Sequence, residues 1–277
     1  MKVLRVIGGV DPAFGGPSVS AISSCIAARR AGVTTAVVFP VEEAGPGSLP
    51  ERLARDDVEV ISFALARWLS REAAAFDVIH THGAWTFTTV ASLLVAKGKG
   101  RAAVLSTHET LTDFDLARSA APVRTAKRAL RHFYLRSFDL IVTSSELERR
   151  DSRCESARAR VVVLCHPVEH SDRGAPSQSG SVGSASTLRL GFLGRLDAKK
   201  NLDVLICAVG LLPQEVTLRV AGDGHPRMRA ALRRLARERG ADHRVEWLGF
   251  LAGSAKHDFF ASIDLLVMPS AYECFGM

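Results

Sequence analysis

The sequence has few aromatic residues, few cysteines and no long apolar run. Phe, Trp and Tyr together make up 6% of the 277 residues. The five cysteines are odd in number and include no Cys-x-x-Cys pair, which fits a reducing compartment better than a disulfide framework. No apolar stretch approaches the ~20 residues that span a bilayer, and the opening MKVLRVIGGVDP has too short an apolar run for a signal peptide. We therefore expect a cytoplasmic protein without disulfides or membrane spans.

Charge of neither sign dominates the chain. The 36 basic and 29 acidic side chains leave a formal net charge of +7. The signal for nucleic acid, a local basic stripe with interleaved aromatic residues, is weak, so we expect no nucleic-acid partner. The stretch 123–138, VRTAKRALRHFYLRSF, is basic and amphipathic. It predicts a crossover helix with a charged solvent face, and peripheral contact with the inner membrane face is the alternative.

The length and the order of the apolar runs predict two α/β domains. At ~150 residues per domain, the 277 residues make about two. Runs rich in β-branched residues, such as 3–7, 35–39 and 102–107, alternate with helical patterns. Near-continuous apolar runs are typical of strands buried on both faces of a parallel sheet. The predicted fold class is α/β, with two Rossmann-like, doubly wound parallel sheets.

A Ser- and Gly-rich segment separates the two predicted domains. Residues 171–187 carry almost no large apolar side chain and are typical of a linker. We assign residues 1–169 to an N-terminal domain, 170–187 to the linker and 188–277 to a C-terminal domain. The second domain has four strand candidates, the last at 265–268. An apolar strand edge without a partner there predicts a domain that is incomplete at its C-terminus, and hence a fragment.

The segment GRLDAKKNLD at 194–203 carries the strongest chemical signal. It follows a predicted buried strand and opens a predicted helix, so backbone N–H groups and two cations can converge on one anion. Arg195 offers a planar fork of donors, and Lys200 supplies a point charge from the first helical turn. An exposed loop with ordinary surface cations is the alternative.

Further motifs follow the other predicted strands of the second domain: VAGDGHP, RVEWLGF and MPSAYECFG. Parallel strands deliver such loops to one carboxyl edge, where open α/β sheets bind ligands. Together with GGVDPAFGGPS, FDVIHTHGAW and STHE in the first domain, these motifs give a chain that resembles the retaining nucleotide-sugar glycosyltransferases of family 4 over essentially its whole length. The resemblance implies the GT-B fold, in which two Rossmann-like domains face each other across a cleft.

The resemblance also implies roles for residues of the second domain. Arg195 and Lys200 match the pair that binds the diphosphate of the donor. Glu273 matches the first glutamate of the family's Glu-x7-Glu motif, which lies at the donor sugar, and is a candidate catalytic residue. Phe275 and Gly276 match the tight turn after it, whose amides face sugar and phosphate. The printed sequence holds no second glutamate of this motif, so we expect this chain by itself to be a poor catalyst.

In the first domain, Gly15 and Gly16 match the family's glycine-rich loop near the donor phosphate, with a plain strand-to-helix turn as the alternative. His108, directly after AAVLST, matches a histidine that contacts donor hydroxyls and is the second candidate catalytic residue, although an ordinary buried loop histidine is a competitor. His82 and Trp85 are candidates for the acceptor cleft. His82 closes a His-x-His pair, but without a third ligand nearby in sequence we expect no metal site.

The activity implied by the resemblance is transfer of a sugar from a nucleotide-sugar donor to an acceptor hydroxyl with retention of configuration. We expect bacterial glycan or polysaccharide synthesis as the setting, a glycan or lipid-linked acceptor as partner, and no required cofactor. Two alternatives stay open: a non-catalytic nucleotide-binding remnant and, less favoured, a sugar-nucleotide epimerase. The sequence does not select the base, the sugar, the acceptor or the oligomeric state.

Overall fold

The structure is a computed structural model that describes residues 1–8, 16–39, 59–62, 69, 71–167 and 187–277. Contacts within the chain divide it into two units, Met1–His170 with Cys274–Met277 and Ser171–Glu273. The predicted linker lies outside the described residues except at its last position, and Gly15 also lies outside them.

The first unit is a parallel sheet whose connections contain helices. In the described residues its strands are β1 (Lys2–Val6), β2 (Thr34–Phe39), β3 (Glu59–Ser62), β4 (Val78–His82), β5 (Ala102–Ser106), β6 (Leu140–Thr143) and β7 (Arg160–Val163). The helices are α1 (Gly16–Arg30), α2 (Phe87–Gly98), α3 (Asp113–Ala117), α4 (Ala121–Ser137) and α5 (Glu146–Asp151). The strand order is β3-β2-β1-β4-β5-β6-β7, and every pair is parallel.

The second unit repeats this architecture with fewer described strands. Its strands are β8 (Leu188–Leu193), β9 (Val216–Ala221), β10 (Val245–Gly249) and β11 (Leu265–Leu266), and its helices are α6 (Leu202–Leu211), α7 (Pro226–Glu238) and α8 (Ser254–Ala261). The order is β10-β9-β8-β11, again with parallel pairs. The predicted α/β class with two doubly wound sheets is confirmed.

The apolar pattern of the sequence explains these cores. Leu4 and Val6 of β1 are fully buried, and so is Leu105 of β5, as expected for strands covered on both faces. On α6 the apolar residues recur at helical spacing and are buried in the core of the second unit: Leu202, Leu205, Ile206 and Val209.

The strand order gives each sheet a topological switch point. In the first sheet, strands are added on one side of β1 up to β3, and β4 then follows on the other side of β1. In the second sheet, β9 and β10 lie on one side of β8, and β11 lies on the other. At such switch points the loops after the two neighbouring strands diverge to opposite faces, and ligands bind at the carboxyl ends of the strands. In the second unit, the loops concerned are those after β8 and β11.

Candidate functional site

Backbone hydrogen bonds join the loop after β8 to the loop after β9. The Gly194 N–H donates to the Ala221 carbonyl at 3.0 Å, and the Leu196 N–H donates to the Asp223 carbonyl at 2.8 Å. These bonds fix the backbone on both sides of Arg195, whose side chain is exposed. The loop thus presents a guanidinium group to solvent from a fixed segment.

Two glycines of the AGDG motif make this close approach possible. A Cβ atom on Gly222, whose φ is +145°, would lie 1.8 Å from the carbonyl oxygen of Gly194. A Cβ atom on Gly224 would lie 2.4 Å from the carbonyl oxygen of Leu196. Because both oxygens belong to backbone, the clash cannot be relieved by a side-chain rotation. The motif therefore acts on the site by setting the distance between two loops.

Lys200 lies in a short 3-10 turn, Ala198–Lys200, and not in the first turn of a helix as predicted. Asp197 caps this turn, since its Oδ1 accepts a hydrogen bond from the Lys199 N–H at 3.0 Å. Asn201 then takes the left-handed conformation, with φ of 48°, and α6 begins at the next residue. The left-handed residue separates Lys200 from the helix, so the lysine charge and the helix start are two distinct features.

Lys200 forms an ion pair with Glu273, which follows β11. The ammonium group donates to Oε1 of the carboxylate, and 18% of the lysine and 27% of the glutamate side chain are exposed. A second bond ties the same two loops, because the Asn201 side-chain amide donates to the Pro269 carbonyl at 3.0 Å. The switch point of the second sheet therefore brings together two of the predicted donor-site residues.

Glu273 is held as an anion. Burial by itself raises the pKa of this carboxyl group, but the hydrogen bond from Lys200 and the charges of Lys200 and Lys199 outweigh it, so the pKa is lowered. An ionised carboxylate accepts hydrogen bonds and cannot donate them. The site thus combines an acceptor for hydroxyl groups with cations suited to phosphate oxygens.

In the first unit, the loop after β5 has a strained backbone. His108 and Glu109 have φ values of 46° and 71°, a region that costs a non-glycine residue ~1–3 kcal/mol and persists only where the surroundings hold it. Glu148 of α5, which is fully buried, holds it here. Its Oε1 accepts from the Glu109 N–H and from the Thr107 hydroxyl at 2.6 Å, and its Oε2 accepts from the N–H and the hydroxyl of Ser144 at 2.6 and 2.7 Å.

His108 belongs to a column of four stacked imidazole rings. The ring centroids of His80 and His82 are 4.4 Å apart, and those of His82 and His108, and of His108 and His166, are 5.1 Å apart. His82 Nδ1 lies 2.9 Å from His108 Nε2. One terminal nitrogen of Arg5, on β1, lies 3.3 Å from His80 Nδ1 and 3.5 Å from His82 Nε2. The structure therefore joins two predicted site residues, His82 and His108, in one network.

Burial keeps this column neutral. It lowers the pKa of His108 to about 3, with the charge of His166 as the second cause. Burial first, and then neighbouring positive groups, lower the pKa values of His80 and His82 well below their usual range. A cavity of about 70 Å³ is lined by the four histidines, Arg5 and nearby serines. Across the described ranges, no group of three or more His, Cys, Asp and Glu side chains is placed to hold a metal ion.

Trp85, in the segment that follows β4, makes its polar contacts with helices α3 and α4. Its Nε1 donates to Asp115 of α3 at 2.7 Å, and Lys127 of α4 lies 4.9 Å from the ring centroid. Lys127 also pairs with Asp115 at 2.8 Å, so part of the basic face of α4 is engaged inside the first unit. None of the helices that the structure describes is long and apolar enough to cross a membrane.

The remaining predicted residues of the first unit lie beside the histidine column and the start of α1. Gly16 is the first residue of α1. The ring of Phe275 lies 5.3 Å from that of His166. Gly276 has a φ of 71°, a conformation that suits glycine in a tight turn.

Sequence reasoning missed Glu148 and Arg5. Ser145 and Glu148 have the Ser-x-x-Glu spacing of a capping box, which directs the glutamate to its own helix start. Ser145 does accept from the Glu148 N–H at 3.1 Å, but the carboxylate bonds to Ser144 and the β5 loop instead. Arg5 had a usable signal, because a lone charge inside a buried apolar strand is rarely found without a partner.

Both halves of the chain match known families. Residues 27–167 match the glycosyl transferase 4-like domain, and residues 187–277 match the glycosyl transferases group 1. Among curated proteins, the D-inositol 3-phosphate glycosyltransferase of Streptomyces avermitilis is 26% identical over 280 residues, which cover 88% of this chain and 59% of that protein. A glycogen synthase of Anaeromyxobacter is 40% identical over 87 residues, 31% of this chain and 18% of the relative.

The chain thus spans about three fifths or less of the length of these two curated relatives. Among solved structures, Anabaena HepE in complex with UDP and glucose superposes with a TM-score of 0.77 at 21% identity, over 100% of this chain and 76% of that one. This likeness concerns the fold. Because the glycosyl transferase 4-like domain alone matches just over half of the residues and the group 1 model matches residues 187–277, the chain belongs to the glycosyltransferases of the GT-B fold that combine a 4-like domain with a group 1 domain.

Proposed function

We propose that this protein transfers a sugar from a nucleotide-sugar donor to an acceptor hydroxyl with retention of configuration. The observation that carries the proposal is the Lys200–Glu273 pair at the switch point of the second sheet, with Arg195 exposed on the same loop as Lys200. The Streptomyces avermitilis relative is a glycosyltransferase by name, and the HepE neighbour was solved with UDP and glucose. Both facts support a nucleotide-sugar donor.

The donor diphosphate replaces Glu273 as the partner of Lys200. An ammonium group has three donors and one charge, and a diphosphate offers more negative charge than one carboxylate. Arg195 adds a planar fork that fits phosphate oxygens. As the bond between sugar and phosphate breaks, negative charge grows on the leaving diphosphate, and both cations stabilise it. Each charge-assisted hydrogen bond contributes ~1.5–3 kcal/mol.

The carboxylate released from Lys200 then accepts a hydrogen bond from a sugar hydroxyl. In the first unit, we assign to His108 a contact with donor hydroxyls, and to Trp85 and His82 the acceptor side. Gly15, Gly16, Phe275 and Gly276 contribute backbone amides near the phosphates. These roles follow the resemblance and are part of the same proposal.

Retention follows from a front-face reaction. The acceptor oxygen forms its bond to the anomeric carbon on the side from which the diphosphate leaves, and the acceptor proton passes to a phosphate oxygen. No added base is needed, in contrast to hydrolases that place two carboxylates across the bond. A glycan or lipid-linked acceptor, a role in bacterial glycan synthesis and independence of a cofactor complete the proposal.

Calorimetric titration of the whole chain with a panel of nucleoside diphosphates and nucleotide sugars tests donor binding. We expect Lys200→Ala and Arg195→Ala each to weaken binding about 10- to 100-fold. Arg237→Ala, which removes an exposed cation on α7, is the matched control and should change affinity less than about twofold. Absence of binding for every nucleotide would refute the proposal.

Product analysis separates the function classes. Incubation with a bound donor and oligosaccharide or lipid-linked acceptors should give a glycosylated acceptor with the anomeric configuration of the donor. Conversion of the donor without an acceptor identifies an epimerase. Binding without any turnover, in this chain and in a longer one, identifies a nucleotide-binding remnant.

A further inference from the structure

We propose that Arg5 and His82 are positioning residues that hold His108 as a neutral imidazole with its proton on Nδ1. His108 then offers the substrate a hydrogen-bond donor and does not act as a base. The inference rests on the proposed function, since it assumes that His108 contacts the donor sugar. Arg5 belongs to no motif, and the resemblance gave His82 a different role.

The argument starts from the donors of Arg5. A guanidinium group carries five N–H donors and no acceptor. Any imidazole nitrogen that faces it must therefore present a lone pair. One terminal nitrogen of Arg5 faces His80 Nδ1 at 3.3 Å and His82 Nε2 at 3.5 Å. Both of these ring nitrogens are consequently unprotonated.

The proton positions of the next two rings then follow. A neutral imidazole has one N–H, so His82 carries its proton on Nδ1. That atom lies 2.9 Å from His108 Nε2, which must accept. His108 therefore carries its own proton on Nδ1. A second proton on His108 Nε2 would set two N–H groups against each other, so the arrangement also excludes the imidazolium form of His108.

The other end of the network agrees with this assignment. His80, unprotonated at Nδ1, has its proton on Nε2 and donates it to the Ser106 hydroxyl at 2.8 Å. Arg5 is itself tied to α1, because its other terminal nitrogen donates to the Ser24 carbonyl at 3.3 Å. One set of tautomers is thus compatible with the contacts of Arg5, His80, His82 and His108.

The titratable groups around the column reinforce its neutrality. On α1, burial raises the pKa of the Cys25 thiol to about 11, so this neighbour of Arg5 stays uncharged. His166, beyond β7, bonds through Nδ1 to the Ser20 hydroxyl at 2.6 Å, and burial lowers its pKa. Glu148 of α5 is the facing carboxylate, and its oxygens are occupied by four donors. Glu148 acts on His166 in the opposite direction to burial, raising its pKa. Arg5, whose own pKa burial lowers, is the cation that faces His80 and His82.

The tautomer of His108 with its proton on Nδ1 suits the contact with the donor that we propose. An N–H donor suits an oxygen of a sugar hydroxyl or a phosphate, and it stabilises negative charge that grows there. A histidine of this kind cannot remove the acceptor proton, which agrees with its transfer to the leaving phosphate. Since Glu148 fixes the backbone of His108, the ring and its donor are held in one orientation.

Two substitutions at His82 distinguish the role of its Nδ1 atom from the role of its Nε2 atom. In His82→Asn the side-chain amide nitrogen takes the place of Nδ1, so the hydrogen bond to His108 can persist. In His82→Gln the amide takes the place of Nε2 and that bond is lost. We expect kcat to be more than about tenfold lower in His82→Gln than in His82→Asn, with KM for the donor differing less than kcat between the two variants. Equal losses in the two variants would overturn the proposal.

Nitrogen NMR of the histidine-labelled chain reads the tautomer directly and needs no turnover. Subtraction of the His108→Asn spectrum assigns His108, and we expect a proton on Nδ1 from pH 8 to pH 5. In Arg5→Met, where no guanidinium faces His80 Nδ1 and His82 Nε2, His108 should become a mixture of Nδ1–H and Nε2–H neutral tautomers, and Arg5→Lys, which keeps a donor-only cation, should restore the wild-type tautomer. A proton on Nε2, or an imidazolium at pH 7, in the wild-type chain refutes the proposal. The expected tautomer together with full turnover in His108→Ala refutes instead the role given to His108 in the proposed function.

Discussion

Replacing Glu148 with glutamine removes one acceptor from a buried site that contains only donors. Each carboxylate oxygen accepts one backbone N–H and one hydroxyl, from Glu109 and Thr107 on one side and from Ser144 on the other. A glutamine keeps one oxygen, and its amide NH2 then faces a backbone N–H. A hydroxyl can rotate away from the new donor, whereas a backbone N–H cannot.

The magnitude follows from these contacts. One buried donor without a partner costs about 1–3 kcal/mol, and the two bonds that remain lose about 1 kcal/mol each when the acceptor loses its charge. We therefore expect Glu148→Gln to lower the free energy of unfolding by about 3–5 kcal/mol, a large share of the ~5–15 kcal/mol of a typical domain. Relaxation of the loop out of the left-handed region recovers part of this cost and displaces His108.

The assay is urea unfolding of the first unit. A Trp247→Phe background removes the tryptophan of the second unit, so that fluorescence follows the first. Glu146→Gln is the matched control on the same helix, where an exposed carboxylate pairs with Arg149, and it should change stability by less than about 0.5 kcal/mol. A Glu148→Gln variant as stable as this control would show that the carboxylate does not hold the loop.

Three further predictions concern pH, loop spacing and the ion pair. Burial depresses the folded-state pKa values of His80, His82 and His108 below 6.5, so the unfolded chain takes up protons that the folded chain does not. Stability is then present above pH 6.5 and falls below it, by about 1.4 kcal/mol for each histidine between pH 7.5 and 5.5; a urea midpoint that is constant over this range would contradict the burial argument. Gly222→Ala should destabilise the second unit by about 3 kcal/mol or more, because a carbonyl blocks its Cβ, whereas Gly240→Ala, at φ +64° with open space around it, should cost about 1–2 kcal/mol; equal thermal shifts would exclude the steric explanation. Glu273→Gln should tighten nucleoside diphosphate binding about 2- to 10-fold, since it removes the carboxylate that competes for Lys200, and it should lower turnover. Weaker binding in calorimetry would contradict the proposal that the diphosphate replaces Glu273 as the partner of Lys200.

Much of the fold could be predicted because the apolar runs in the sequence coincide with the strands that are buried on both faces of the sheets. The runs at β1, β2 and β5 are apolar without alternation, and only a strand covered on both faces tolerates that. The family followed from four motifs in order at the ends of predicted strands. The start of α6 was predicted too early, since the left-handed Asn201 interrupts the chain just before it, and a single asparagine gives no clear signal of that conformation.

The amino-acid sequence by itself therefore determined the α/β class, the two sheets and the loops that carry Arg195, Lys200 and Glu273. Tertiary structure alone decided which distant side chains meet. Lys200 and Glu273 are paired because the strand order places β11 beside β8, and Arg5 reaches His82 because β4 pairs with β1. Glu148 accepts a hydrogen bond from Glu109, 39 residues away in sequence, and does not complete the capping box of its own helix. Only the folded sheet brings these backbone donors to the buried carboxylate.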